Sequence, residues 1–304
     1  MTTATTTKPT LNRLQRPAIR KASPTKALDL LLKGYMAEVG QEDRHLRLIL
    51  LGEYGSGKTC AIRTCRSPIL IDSFDPSGTE SALLTPDIES HRILRMTKFE
   101  KEQPDNPKVF QEYQSHFTRL KASGIFNKIG TYCIDSLTTL GDAVMYKVMV
   151  DTGLSALDVP EQRHYLKQQL YLINIVKNWT TLPCDVVATG HLLPEKDEKR
   201  GRIVYNMMIT GKLTVKVPLL FQEIYIMHAT RVQGGMEYKF QTSSDAHYKA
   251  RTKMGAGKFE FYEKADVKML LKKAGREAED LPPLEVREEV RNEADYVAFK
   301  DPPL

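Results

Sequence analysis

The chain has 304 residues, of which 41% are hydrophobic, and its 44 lysines and arginines against 38 acidic residues give a formal net charge of +6. This length fits one large α/β domain with appendages, and the mild positive charge alone does not indicate a polyanionic partner. An apolar run of about 18 residues, which a spanning helix needs, is missing, and the threonine-rich start lacks the apolar segment of a signal peptide. We therefore expect a cytoplasmic protein with reduced cysteines and no membrane partner.

Both ends of the chain differ in composition from its centre. Residues 1–26 contain six cations and no acid, which predicts a disordered basic arm. Residues 27–40 show the leucine spacing of a short amphipathic helix. Residues 277–304 contain nine acids and four prolines, which predicts an extended or disordered tail after a helix over Glu263–Ala274. The predicted domains are thus a basic arm over 1–26, a folded domain over 27–262, and a terminal helix with an acidic tail over 263–304.

The most informative stretch runs from Leu46 to Thr64, where an apolar strand turns through glycines into a helix. It matches the P-loop pattern G-x-x-x-x-G-K-[ST], in which backbone N–H groups wrap phosphates, the lysine reaches the terminal ones, and the threonine hydroxyl ligates Mg²⁺. The alternative is a glycine-rich turn that carries a lysine by chance. The predicted nucleotide-binding residues are Gly52, Glu53, Tyr54, Gly55, Ser56, Gly57, Lys58, Thr59 and Cys60.

Strand and helix patterns alternate along the next part of the chain. Strands are predicted at Pro68–Asp72, Arg92–Met96, Gly130–Asp135 and Cys184–Thr189, and helices at Val109–Ala122, Leu137–Val150 and Pro160–Thr181. Further strands are predicted at Ile224–Ala229, Tyr238–Thr242 and Tyr248–Thr252, with a hairpin turn at Gly234-Gly235. This order predicts an α/β fold with a mostly parallel sheet, helices on both faces and an antiparallel addition near the end.

Carboxylates at the ends of predicted strands are candidates for the chemistry around a bound triphosphate. Asp135, together with Thr59, is the candidate ligand of Mg²⁺, and the alternative for Asp135 is a helix N-cap. Hydrolysis also needs a group that orients or deprotonates water, for which Asp72 and Asp75 are candidates. Either aspartate could instead cap the turn in which it lies.

Three further cationic or titratable side chains are candidates near the γ-phosphate. His191 follows the strand Cys184–Thr189, where a polar side chain could contact that phosphate, although a lone histidine is more often structural. The segment 192–216 is predicted as a long basic loop, either a phosphate-tracking surface or a solvated loop of mixed charge. Lys249 and Arg251 share one side of a predicted strand and could neutralise γ-phosphate charge in cis or from a neighbouring subunit, or simply protect a sheet edge.

The order GEYGSGKT, PILIDSFD, TYCIDSLTTL, DVVATGH and TGKL, followed by a K-x-R pair, resembles the RecA-like ATPases of bacteriophages, and within them the group that includes ATP-dependent single-strand annealing proteins. The resemblance covers roughly residues 45–262 and implies a RecA-like core that binds ATP and Mg²⁺ and acts on single-stranded DNA as a ring or filament. By this resemblance His191 is similar to a γ-phosphate sensor, the following loop contacts DNA, and Lys249 and Arg251 reach a neighbour's ATP. The catalytic glutamate that this class usually carries after the second strand is replaced by Phe74.

Two other functions fit the same motif. A nucleotide-dependent adaptor or loader would carry a replication or recombination protein through the acidic tail, and a P-loop kinase would transfer the γ-phosphoryl group to a bound acceptor. A kinase needs an acceptor pocket and an arginine-bearing lid, and no clear segment of this kind is recognisable in the sequence. ATP binding with slow hydrolysis on DNA is therefore the leading hypothesis.

Overall fold

The computed structural model of the chain describes residues 45–80 and 82–285, together with positions 26, 28, 29, 32 and 33. The chain divides into two units, residues 1–43 and 44–304. The described positions of the first unit are helical and exposed, in keeping with the helix predicted over 27–40. The basic arm predicted over residues 1–26 lies, apart from position 26, outside the described residues, as does the tail beyond residue 285.

The second unit is built on one sheet of nine strands among the described residues. These are β1 (Arg47–Gly52), β2 (Ile69–Ser73), β3 (Ile93–Met96), β4 (Thr131–Asp135), β5 (Asp185–Asp197), β6 (Arg202–Met207), β7 (Glu223–Val232), β8 (Gly235–Gln241) and β9 (Tyr262–Lys264). The order is β3-β2-β4-β5-β1-β7-β8-β9, with β6 paired to the outer half of β5. Strands β1 to β5 and β7 pair in parallel within the sheet, whereas β6, β8 and β9 are antiparallel additions.

Seven α-helices are described with this sheet: α1 (Lys58–Ile62), α2 (Thr85–Glu89), α3 (Val109–Ser123), α4 (Leu137–Asp151), α5 (Gln162–Thr180), α6 (Leu213–Leu219) and α7 (Val267–Ala274). Strand β1 is buried along its whole length, and its alternate side chains enter two separate cores. Ile49 and Leu51 pack with α3 to α6, while Leu48 and Leu50 pack with α1 and α7. Helices therefore cover both faces of a mostly parallel sheet, which confirms the predicted RecA-like α/β fold class.

The structure corrects three predicted elements. The segment 192–216 is not a long loop: β5 continues to Asp197 and forms an antiparallel ribbon with β6, and α6 follows. The segment Tyr248–Thr252 is not a strand, since it makes only two isolated bridges, Tyr205 to Tyr248 and Ile224 to Arg251. The terminal helix begins at Val267 rather than at residue 263, because the Asp266 side chain accepts a hydrogen bond from the Met269 N–H and caps the helix there.

The described part of the acidic tail is extended and docked on the domain. Leu281 N–H donates to the Ser67 carbonyl at 2.7 Å, and the Asp280 side chain accepts from the Ser67 N–H at 2.8 Å. Ala278 is buried beneath this contact. In the part of the chain that the structure covers, no helix has the length and apolar character needed to cross a membrane.

Candidate functional site

The P-loop lies between β1 and α1, at the carboxyl end of the sheet. Gly55 and Gly57 have φ angles of 73° and 88°, which glycine adopts without strain. A Cβ at Gly57 would also lie 2.6 Å from the ring of Tyr238 on β8. Both the backbone conformation and this steric contact therefore disfavour a side chain at position 57. The backbone conformation of the loop therefore accounts for glycine at positions 55 and 57.

Lys58 is buried at the start of α1 and folds back over the loop. Its Nζ donates to the carbonyl oxygens of Gly52 at 3.0 Å and Glu53 at 2.9 Å. Burial lowers the pKa of the Lys58 ammonium, while the nearby charges of Asp135 and Asp75 oppose that shift. The structure thus holds one ammonium group between the curled backbone and two carboxylates, where a polyphosphate can replace the carbonyls as its partner.

Asp135, the last residue of β4, is buried behind the P-loop threonine. Thr59 Oγ1 donates to Asp135 Oδ2 at 2.9 Å, and the Thr189 hydroxyl of β5 donates to Oδ1. Burial raises the pKa of Asp135, and the hydrogen bond from Thr189 opposes the shift. The N-cap position of α4 belongs to Ser136, so the helix-capping alternative for Asp135 does not describe what the carboxylate contacts.

The donor set around Asp135 fits magnesium. Mg²⁺ takes oxygen ligands and is commonly held by one or two carboxylates together with substrate phosphates and water. A hydroxyl and a carboxylate oxygen stand side by side in the pair Thr59–Asp135. Within the described residues no group of three or more histidine, cysteine or acidic side chains could hold a metal by itself, so this pair would depend on phosphate oxygens to complete the coordination.

Asp75 lies just beyond β2, at the centre of a hydrogen-bond cluster. Ser136 Oγ donates to Asp75 Oδ1 at 2.7 Å, the Thr139 hydroxyl donates to the same oxygen, and His191 Nε2 lies 3.2 Å from Oδ2. Burial alone would raise the pKa of Asp75, but the hydrogen bonds from His191, Thr139 and Ser136 outweigh it and lower that pKa overall. Asp75 is therefore an ionised carboxylate fixed between β2, α4 and β5.

Asp72 and Phe74 both point away from this cluster. Asp72 is fully buried, where it accepts a hydrogen bond from the Tyr132 hydroxyl at 2.5 Å and lies 3.3 Å from His116 Nε2. Phe74 stacks on Phe99 with ring centroids 5.3 Å apart. The structure thus separates the two predicted aspartates, and it brings only Asp75 to the P-loop.

One cleft of about 640 Å³ unites most of the predicted site. Its walls include Lys58, Thr59, Asp75, Asp135, His191 and Tyr238. Cys60 also lines this cleft and is half-buried, whereas the other three cysteines are buried. All four cysteines are free thiols. The arrangement places a cation, two carboxylates and an imidazole around a space next to curled backbone, which suits a metal–triphosphate.

Lys249 and Arg251 lie outside that cleft. Lys249 Nζ donates to Asn206 Oδ1 of β6 at 3.2 Å, and the Arg251 guanidinium donates to the carbonyls of Pro218, at 3.2 Å, and Phe221. The next residues are anchored by the buried carboxylate of Glu223, which accepts from the Thr252 hydroxyl at 2.6 Å and from the backbone N–H groups of residues 253 and 254 at 2.9 Å. The structure therefore does not bring the K-x-R pair to the nucleotide loop of its own chain.

Sequence reasoning missed several groups that complete the site. Thr139, Thr189 and Tyr238 contact Asp75, Asp135 and the P-loop, respectively. The hydroxyl-rich stretch after Asp135 and the threonine before Gly190 were available signals for the first two. Tyr238 carries no motif, because its contact with Gly57 depends on the position of β8 in the sheet.

A family model and several solved structures match this chain. A family model described as "AAA domain" matches residues 44–254. Among solved structures, flagellar accessory protein FlaH from Methanocaldococcus jannaschii matches with a TM-score of 0.38 and 10% identity over 72% of this chain and 84% of that one. The KaiC-like protein PH0186 from Pyrococcus horikoshii OT3 matches with a TM-score of 0.37 and 11% identity over 68% of this chain and 83% of that one. A comparison with curated proteins gives no match.

Proposed function

Because this chain belongs to the AAA domain family, a family of P-loop ATPases, we propose that it binds ATP with Mg²⁺ and that nucleotide occupancy controls its assembly on single-stranded DNA. The observation that carries the nucleotide part is the convergence of Lys58, Thr59 and Asp135 at the carboxyl ends of β1 and β4. The DNA part rests on the resemblance of the sequence motifs to phage RecA-like ATPases, including single-strand annealing proteins.

Lys58, Thr59 and Asp135 each have a defined role in this proposal. The Lys58 ammonium exchanges the two loop carbonyls for phosphate oxygens, and the P-loop N–H groups bind the remaining charge. Thr59 and Asp135 would hold Mg²⁺, which neutralises charge on the phosphate oxygens when bound. These contacts supply binding and orientation.

Asp75 and His191 would act at the γ-phosphate. Asp75 is ionised and has acceptor capacity to orient an attacking water, which is the task of the glutamate that Phe74 replaces. An aspartate is shorter than a glutamate and is here held by three donors, so we expect hydrolysis to be slow. His191 contacts Asp75 from β5 and would exchange that contact for the γ-phosphate, which makes the loss of phosphate detectable at the start of the β5–β6 ribbon.

Assembly into a ring or filament is the part of the proposal that would give the K-x-R pair a role at the nucleotide. Lys249 and Arg251 do not reach the cleft of their own chain, so cationic help at the γ-phosphate would come from a neighbouring copy. In the setting that the resemblance implies, phage recombination or replication in the host cytoplasm, the acidic tail would serve a protein partner.

The test combines nucleotide binding with DNA retention. Wild-type protein is mixed with labelled single-stranded DNA at low salt, with and without Mg²⁺ and a non-hydrolysable ATP analogue, and is analysed by sizing and filter retention. Lys58→Ala should weaken nucleotide affinity about 10- to 150-fold, the loss expected for one charge-assisted contact, and should abolish nucleotide-dependent retention. Lys128→Ala is the matched control, because this exposed lysine precedes β4, at the amino end of the parallel strands and away from the P-loop. Equal retention of single-stranded DNA by the wild type with and without nucleotide would contradict the proposal.

A further inference from the structure

A line of aromatic rings runs from the β5–β6 ribbon across the C-terminal strands. Tyr205 and Tyr248 stack with centroids 4.7 Å apart and ring planes inclined by 17°. His228 lies edge-on to Tyr248 at 5.2 Å and to Tyr262 at 5.5 Å. We call these four residues the aromatic row. Part of this aromatic surface faces solvent rather than the core, because Tyr262 is 49% exposed and the other three rings are only half-buried.

Lysine side chains flank the aromatic row on the same face of the sheet. His228 is paired with Lys239, and Lys239 is paired with Lys264, in the register of β7, β8 and β9. Directly opposite residues of neighbouring strands share a face, and like charges placed opposite each other are destabilising. Glu237 offsets the charge of Lys239 at 2.9 Å, while Lys264 is exposed at the sheet edge. Of Lys239, Glu237 and Lys264, the lysine at the sheet edge therefore leaves one positive charge beside the rings.

The aromatic row also adjoins the nucleotide loop. A pocket of about 160 Å³ is lined on one side by Tyr54 and Ser56 of the P-loop and on the other by His228 and Tyr248. Tyr54, which is 95% exposed, lines both this pocket and the nucleotide cleft. A ligand on the row would thus lie next to the loop that grips phosphate.

We propose that the aromatic row, with Lys239 and Lys264, is the surface that binds single-stranded DNA, with bases stacked on the rings and phosphates on the ammonium groups. The inference rests on the proposed function and deepens it, because it places DNA on the C-terminal strands as well as on the ribbon. Aromatic platforms beside cations suit single strands, since every base offers a π-face while a duplex hides its faces. The row selects for unpaired bases rather than for a particular sequence.

The experiment separates stacking from charge by using two probes of equal length, an oligothymidylate and an abasic strand, in fluorescence anisotropy with the ATP analogue and Mg²⁺. Tyr262→Leu and Tyr248→Leu should each weaken oligothymidylate binding about 5- to 150-fold and leave abasic-strand binding unchanged. Tyr262→Phe keeps the ring and should bind as the wild type does. Tyr165→Leu, a half-exposed tyrosine on α5, is the matched control. Lys264→Gln should weaken both probes and reduce the salt dependence of log Kd by about 0.7, the value for one phosphate contact.

Nucleotide affinity, measured on the same samples, identifies any variant that has failed to fold. Equal binding of oligothymidylate by the wild type and both leucine variants would overturn the inference while leaving the proposed function intact. Equal affinity of the wild type for the two probes would overturn it as well, because the bases would then contribute nothing. Failure of the wild type to bind either strand with nucleotide would instead overturn the proposed function itself.

Discussion

Truncation of the acidic tail should have two different effects that depend on the last residue kept. A chain that ends at residue 285 retains the docked segment, whereas a chain that ends at residue 276 loses it. Three hydrogen bonds hold that segment: Arg66 Nε to the Glu279 carbonyl at 3.0 Å, Ser67 N–H to the Asp280 carboxylate at 2.8 Å, and Leu281 N–H to the Ser67 carbonyl at 2.7 Å.

The expected loss can be worked from these contacts. A net contribution of about 0.5–1.5 kcal/mol for each hydrogen bond gives about 1.5–4.5 kcal/mol in the free energy of unfolding. The ion pair between Lys268 and Asp280 at 3.1 Å is partly exposed and adds little because solvent screens it. At about 2–4 °C per kcal/mol for a domain of this size, the melting temperature of the shorter chain should fall by about 3–18 °C.

Thermal unfolding of the two truncated chains and the full chain measures this difference, and Asp280→Ala in the full chain should give part of it. Equal melting temperatures for the chains that end at residues 276 and 285 would refute the stabilising role of the docked segment. The longer truncated chain is also the one to use in a test of the loader hypothesis. It should lose a tail-binding partner without losing stability, and a DNA-coating ATPase should keep nucleotide and DNA binding in it.

Four further predictions concern the nucleotide cleft and the end of β2 beside it. Burial raises the pKa of Asp135, and Mg²⁺ requires the ionised carboxylate. Mg²⁺-dependent nucleotide affinity, measured by calorimetry, should therefore begin to fall at a pH above the range in which an ordinary aspartate titrates. The Asp135→Asn variant should show no such pH dependence. The pKa of Asp75 is lowered, so the stability that its charge contributes is present above the ordinary aspartate pKa and is lost only as pH falls below it. Asp75→Asn should reduce steady-state ATP turnover about 10²- to 10⁴-fold with little change in nucleotide affinity, and unchanged turnover would exclude Asp75 as the water-orienting group. Phe74→Glu should not restore a catalytic glutamate, because Phe74 is buried against Phe99. The substitution should lower the free energy of unfolding in urea by about 3–5 kcal/mol. A gain in ATP turnover would show instead that the side chain at this position can face the cleft.

Much of the fold could be predicted because its signals are local. The apolar run of β1, the glycines at 55 and 57 and the carboxylate at the end of β4 each express their role within a few neighbouring residues. The ribbon was missed because the alternating charges of β5 beyond His191 do not favour a strand by themselves. Pairing with β6 stabilises that strand, and such pairing depends on register rather than on composition.

The residues of the candidate site likewise divide into those that a local motif predicts and those that only the folded structure distinguishes. Lys58, Thr59 and Asp135 were predicted from a motif and a strand end, and the structure places them together. Asp72 and Asp75 were equivalent in the sequence, and only the pleat of β2 sends Asp72 into the buried contact with Tyr132. The predicted strand over 248–252 is wrong. The residues that follow it, 253 and 254, donate their backbone N–H groups to the side chain of Glu223 rather than to a neighbouring strand.

Strand β5 passes without interruption from the middle of the sheet into the exposed ribbon, and His191, opposite Gly52 in the register, marks the transition. The six residues beyond it extend about 20 Å. A tilt of about 10° at this point would move the far end of the ribbon by about 3.5 Å. A displacement of His191 would therefore be larger at the tip of the ribbon than beside the P-loop.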